Sequence, residues 1–204
     1  QQELVDAAQA TLSDFVRDPD MGWMQRHLPE AKAVLVAPQI VKAGYIFGGS
    51  GGRAVLFARN ARTGKWDGPA FYNVGAATVG FQAGIAVSET VTLVMTDKAL
   101  NSLMSPTVKL GGDATIAAGP VGAGAASNVA ADFVAFSRSK GVYGGLNLEG
   151  SVIAVADDWN ASYYGKAVTP TDIALDAKVR NPQAQRMASD LERASMRQRT
   201  SSVR

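Results

Sequence analysis

The chain has 204 residues, 47% of them hydrophobic and 19% charged, which is enough to build one core without covalent staples and excludes a largely disordered segment. Cysteine is absent, which excludes disulfide frameworks, thiolate nucleophiles and Cys-based zinc sites but does not fix the compartment. The net charge of +2 is unevenly spread: residues 178–204 carry +5 and residues 1–177 carry −3, so the basic character belongs to the C-terminal segment.

Residues 3–17 read as an amphipathic helix, because Leu4, Ala8, Leu12 and Phe15 form one apolar stripe. Asp18-Pro19-Asp20 ends it, since proline disfavours helix in the residue before it. Residues 22–28 form a short helical turn before Pro29. Residues 33–37 then open a strand region bounded by Pro38. Strands over 41–48 and 53–60 flank a turn at Gly49-Ser50-Gly51-Gly52, the pattern of a hairpin. A second turn, 60–64, leads into Lys65-Trp66. Residues 74–95 are too long for one flat strand, and a bend is expected near Ser88-Glu89.

Thr96 is placed to cap a short helix over 97–104. Strand texture resumes at 107–118, 132–139 and 142–156. Short helices follow at 157–164 and 169–176, the second with Thr169 as cap and Pro170 at its first position. The segment from Asn181 is weakly helical, with Met187, Leu191 and Ala194 on one side. Glycines recur inside the strand-like stretches (Gly75, Gly80, Gly84, Gly111, Gly112, Gly144, Gly145, Gly150), and interior glycine marks bulges and sharp bends. The expected class is α+β: a strongly coiled, glycine-rich antiparallel sheet, with barrel closure left open, an N-terminal helix and short C-terminal helices. Residues 1–177 are expected to form one domain and 178–204 a basic tail.

The inventory for catalysis is thin. His27 is the only histidine and sits at a helix end, where capping or packing is the plainer role. Asp18 and Asp20 lack the further ligands of a calcium loop, and Asp157-Asp158 suits a helix start. The run 48–53 could wrap a phosphate with its amides, yet it opens a strand rather than a helix, so a turn is the simpler reading. Neither an enzyme nor a cofactor is expected. Lys42, Arg53, Arg59, Arg62, Lys65 and Trp66 lie on or beside two neighbouring hairpins, and cations beside tryptophan suit a lipid headgroup boundary. Ordinary turn charge around a packed tryptophan explains the same residues. Nucleic acid is not an expected partner, since no aromatic platform or helix-turn-helix is evident.

Several runs in consistent order resemble one family. They include residues 32–38, 41–45, 49–56, 64–70, 79–84, 91–95, 109–113, 119–122, 137–151 and 160–165. On these the chain resembles the SYLF domain over roughly residues 3–177. The resemblance implies a non-catalytic domain whose eukaryotic members bind phosphoinositides and sometimes actin, usually beside other modules. None of those modules is visible here, which points to the bacterial branch of secreted proteins and lipoproteins. The implied function is peripheral binding of anionic phospholipid at the bacterial cell envelope, on its periplasmic side. The unusual start Gln1-Gln2-Glu3 fits export and a lipid anchor on a removed upstream segment. The candidate lipid-binding residues are Lys42, Arg53, Arg59, Lys65 and Trp66, with Arg138 and Lys140 as a second cluster. The alternative is a structural or partner-binding envelope protein without lipid recognition of its own. In some relatives a basic N-terminal helix meets the membrane. Here residues 1–18 carry −3, so that helix is expected to pack instead.

Overall fold

A computed structural model describes residues 1–44, 47–79, 84–122, 128–139, 142–143 and 150–201. Its centre is a strongly curled mixed sheet, a half-barrel. The strands are β1 (Ala33–Gly44), β2 (Phe47–Arg59), β3 (Trp66–Val79), β4 (Gly84–Val94), β5 (Thr107–Lys109), β6 (Ile116–Ala118), β7 (Phe133–Ser139), β8 (Val142–Tyr143) and β9 (Val152–Val155). Their spatial order is β5-β9-β3-β2-β1-β4-β7-β6, with β8 hydrogen-bonded to β7. All pairs are antiparallel except β6–β7. The outer strands β5 and β6 are joined by a turn in which Leu110 and Ala114 bridge, and among the described residues the sheet is not otherwise closed.

Period-two alternation sorts the side chains to two faces, and both faces are covered. One face carries Val34, Val36, Val55, Phe57, Phe71, Val91, Leu93 and Phe136. Against it pack α1 (Gln2–Arg17), α2 (Gly22–His27) and α5 (Gln185–Ser201). The stripe of α1 is the one its spacing predicts: Ala8, Leu12 and Phe15 are buried, Val5 and Thr11 with them, and Leu4 packs at the edge. The other face carries Leu35, Leu56, Tyr72, Phe133 and Ile153, covered by α3 (Asp97–Leu103) and a π-helical turn, Thr171–Leu175. The Thr96 hydroxyl accepts from the Ala99 N–H, so α3 has the cap expected of it. Tyr72 donates its hydroxyl to the Leu103 carbonyl at 2.8 Å, and burial pushes its phenol well above the usual range.

Three expectations need correcting. The glycines at 49, 51 and 52 do not form a turn: they lie inside β2, where Gly49 faces Ala43 and Gly51 faces Val41 across β1. The β1–β2 hairpin exists, but its pairing continues past this run to Gly44 opposite Gly48. Glycine is needed within the strand because β1 bulges between Val36 and Gln39, and a Cβ on Gly52 would stand 2.3 Å from the Gln39 carbonyl oxygen. With β2 paired on both sides, the run 48–53 has its amides in the ladders and cannot wrap a phosphate.

Residues 74–95 are not one bent strand either. They divide into β3 and β4, which lie on opposite sides of the β1–β2 hairpin. The expected strand 107–118 is likewise two short strands, because the Leu110–Ala114 turn interrupts it.

The basic C-terminal segment contributes to the core. In and just before α5, Ala184, Met187, Leu191 and Ala194 are buried against the layer of α1 and α2.

Candidate functional site

Beyond Ile40, Ala54, Val74 and Ser88 the four central strands outrun both covering layers. No described side chain of β1 through β4 past those positions is buried. From Arg53 to Phe47 that extension is about 20 Å at roughly 3.3 Å per residue. At its end Phe47 is 76% exposed and Ile85 73%, with Val41 and Val87 exposed behind them. Val41 pairs with Val87 and Ala43 with Ile85, which puts these apolar side chains on the face that α1 covers further down. Residues 40–53 and 73–88 together contain two basic residues, Lys42 and Arg53, and no acidic one.

Where α1 ends over this extension there are two adjoining clefts. The first, of about 450 Å³, is lined by Leu4, Gln39, Val41, Gly51, Gly52, Arg53, Asn73 and Trp159. The second, of about 690 Å³, shares Leu4, Gln39 and Trp159 and adds Val87, Glu89 and Arg138. Trp159 is set by α4 (Asp157–Tyr164), whose aromatic side lies on Phe71 with ring centroids 5.8 Å (Trp159) and 5.0 Å (Tyr163) away. Asn160 fixes α4 to the strand. Its side chain accepts from the Phe71 N–H and donates to the Phe71 carbonyl, just beyond the last β3–β9 pair, Tyr72–Val155. Gly165, at φ 69°, ends α4 in the left-handed conformation that glycine adopts at least cost. Tyr163 donates to the Gln2 side chain at 2.9 Å. Burial, aided by Asp6, pushes its phenol up to about 12. The Arg53 guanidinium lies over the Trp159 ring at 4.0 Å while its side chain stays exposed.

The sequence-derived candidates separate in space. Lys42 and Arg53 belong to the extension, and Lys42 is exposed, with no ion pair to it among the described residues. Arg59, Lys65 and Trp66 sit at the opposite end of β2 and β3, where Arg59 is the register partner of Trp66. Trp66 is 5% exposed and lies under the Arg59 guanidinium, 4.5 Å from the ring centroid. Arg59 also donates to the Leu28 and Ala31 carbonyls and to the Ser195 hydroxyl, joining α5 to the sheet. Lys65 is exposed in the turn between β2 and β3. Arg138 is held by Glu89 at 2.6 and 3.1 Å, with Asp14 at 3.5 Å, so two carboxylates neutralise it. Lys140 lies outside the described residues. What residue types could not show was the exposed pair Phe47 and Ile85, which becomes visible only once the register brings two distant segments together.

His27 stacks on Trp23 at 3.7 Å and its Nδ1 lies 2.8 Å from the Trp23 carbonyl, a packed position at the end of α2. Among the described residues no group of three His, Cys, Asp or Glu side chains could hold a metal ion.

Residues 75–194 match the family model Ysc84, described as "Las17-binding protein actin regulator". The chain belongs to the Ysc84, or SYLF, family. LAS seventeen-binding protein 3 of Saccharomyces cerevisiae is 34% identical over 180 residues, covering 84% of this chain and 37% of that protein. Protein YSC84 of the same yeast is 30% identical over 164 residues, 77% of this chain and 34% of that protein. Human SH3 domain-containing YSC84-like protein 1 is 29% identical over 163 residues, 78% of this chain and 47% of that protein. This SYLF chain therefore spans between a third and a half of the curated relatives it matches. The matched part runs from the outer half of β3 into α5, so it takes in the helix that carries Met187 and Leu191.

Proposed function

We propose that this SYLF domain is a non-catalytic, peripheral binder of anionic phospholipid. The observation that carries the reading is the end of the sheet where residues 40–53 and 73–88 present Lys42, Arg53 and exposed apolar side chains with no acidic residue among them. A cation beside an aromatic ring suits the headgroup layer, where the ring is half solvated and the charge meets phosphate. Lys42 and Arg53 lead the proposal. Arg59, Trp66 and Arg138 are already engaged within the protein, and Lys65 lies at the far end. Placement at the bacterial envelope, with export and a lipid anchor, belongs to the same proposal and is tested by cell fractionation.

The test is co-sedimentation with vesicles containing phosphatidylglycerol. Lys42→Glu with Arg53→Glu is expected to lower binding at least about tenfold, about 1.4 kcal/mol. Lys65→Glu, at the other end of the sheet, should change it little. Equal binding by all three proteins would count against the assignment.

A second reading is favoured by the names of the relatives, two of which are named as binding LAS seventeen or resembling YSC84. On that reading the domain contacts a protein partner and any lipid contact is made elsewhere. A pull-down that retains a partner equally with wild type and with the Lys42/Arg53 double variant, alongside no vesicle binding, would favour it.

A further inference from the structure

We propose that the end of the β1–β4 extension enters the bilayer, with Phe47 and Ile85 as the inserted side chains. This rests on the lipid-binding reading and says how the contact is made. Phe47 and Ile85 are more exposed than any other large apolar side chain described, and they stand at the ends of the described parts of β2 and β4. Paired backbone on both sides of β1 and β2 matters here. In these two strands the N–H and C=O groups are already bonded, whereas β3 past Gly75 and β4 before Ser88 have a ladder partner on one side only among the described residues, so entry is confined to the tip that carries Phe47 and Ile85. Small residues thin the extension, since in β2 Gly48 opposes Gly44, Gly49 opposes Ala43 and Ala77, and Gly51 opposes Gly75. Residues 73–88 hold no charged residue, and between Ile40 and Gly52 Lys42 alone carries a charge that must stay with the headgroups.

The charges favour a lipid surface over a second copy of the chain. In a two-fold contact through this end, Lys42 and Arg53 would meet cations and no carboxylate of the same segments. An anionic headgroup layer supplies the missing partners. Lys42, opposite Ser50, lies about 10 Å back from Phe47 and Arg53 about 20 Å back along β2, at roughly 3.3 Å per residue, which puts Lys42 nearest the phosphates and Arg53 with Trp159 at the outer edge of the headgroup layer when Phe47 lies deeper. The same face is wetted by the cleft under α1, so insertion ends where Leu4 and Trp159 begin.

The chain has no cysteine, so single labels can be placed cleanly. Phe47→Cys, Ile85→Cys and, as a control in the turn between β2 and β3, Thr63→Cys are each labelled with a nitrobenzoxadiazole dye. They are then mixed with vesicles of phosphatidylcholine and phosphatidylglycerol. The dye at 47 and 85 is expected to shift to the blue and to be quenched by nitroxide on the lipid acyl chain, while the dye at 63 does neither. Phe47→Ser with Ile85→Ser is expected to lower vesicle binding about tenfold or more, with an unchanged circular dichroism spectrum and melting temperature. Vesicle binding with the dyes at 47 and 85 still in water would overturn insertion while leaving the surface reading intact. No binding at all would overturn both. A blue shift without vesicles that grows with protein concentration would assign this end to self-association and overturn the proposal.

Discussion

Asp132 shows how one buried carboxylate ties three elements together. It accepts from the Thr96 hydroxyl at 2.6 Å, and from the Thr115 N–H and hydroxyl at 2.9 Å each, with Lys98 at 3.6 Å. The bonds from Thr96 and then Thr115 outweigh its desolvation and lower its pKa from 3.8 to about 2. A carboxylate whose folded pKa is depressed contributes stability that is whole above its unfolded pKa and is lost as pH falls. The contribution of Asp132 should therefore be present above about pH 4 and be lost as pH falls from there through about 2. Asp132→Asn is expected to be less stable than wild type at pH 7 by about 1–3 kcal/mol, with the gap closing as pH falls through that window. Melting temperatures at pH 7 and pH 3 check it; an equal gap at both would contradict the assignment. Gly52 makes the parallel case for backbone. Gly52→Ala should destabilise by about 1–3 kcal/mol, because its Cβ meets the Gln39 carbonyl at 2.3 Å. Gly51→Ala, whose Cβ would stand 3.8 Å from its nearest contact, should change stability by about 0.5 kcal/mol or less in urea melts.

At the scale of elements, the sequence was most legible where a period ran long enough to register. The α1 stripe, the Thr96 cap and the placing of Met187, Leu191 and Ala194 on one side of a helix all came from the local pattern; the structure packs the α1 stripe as expected and also buries the α5 set, which the sequence did not predict. Glycine-rich strands were less legible, because glycine signals equally a turn, a bulge or a close approach. In β2 it is the close approach that matters, and its cause is a bulge in β1 that no local pattern announces. The separation of β3 from β4 was hidden for a related reason. Strand order is set by pairing across the sheet, which a local pattern of Val, Thr and Gly does not encode. Charge was legible as composition but not as location. Seven basic residues after 177 read as a solvated tail, whereas α5 turns an apolar side to the core. Leu191→Ala should cost about 2–5 kcal/mol, and Arg186→Ala, on the exposed side, about 0.5 kcal/mol or less, by thermal or urea unfolding. Equal losses would mean that α5 does not pack as described.

The described residues form a curled sheet with two covered faces and one end at which none of the described strand side chains is buried. Helices α1, α2 and α5 close one face, and α3 with the turn at 171–175 closes the other. At the other end of β2 and β3 Arg59 is held on Trp66 and Arg180 reaches toward Asp67 at 3.7 Å, while Arg62 and Lys65 are exposed in a turn that carries no exposed large apolar side chain among the described residues. At the open end Arg53 faces solvent on the side of the exposed apolar residues and Lys42 on the opposite side of the sheet. That polarity is what the lipid-binding account rests on, and it makes the domain a directional object with one end suited to an anionic, half-apolar medium. The residue scale alone could not show this, since Arg53 and Arg59 are equivalent in composition and differ only in what the fold places around them.

The most direct measurement is co-sedimentation of the full chain with vesicles of phosphatidylcholine alone and with added phosphatidylglycerol, each at low and high salt. The account predicts retention on the anionic vesicles at low salt, weakened but not abolished at high salt as screening removes the Lys42 and Arg53 contribution and leaves the apolar one. No retention on anionic vesicles at low salt would contradict it.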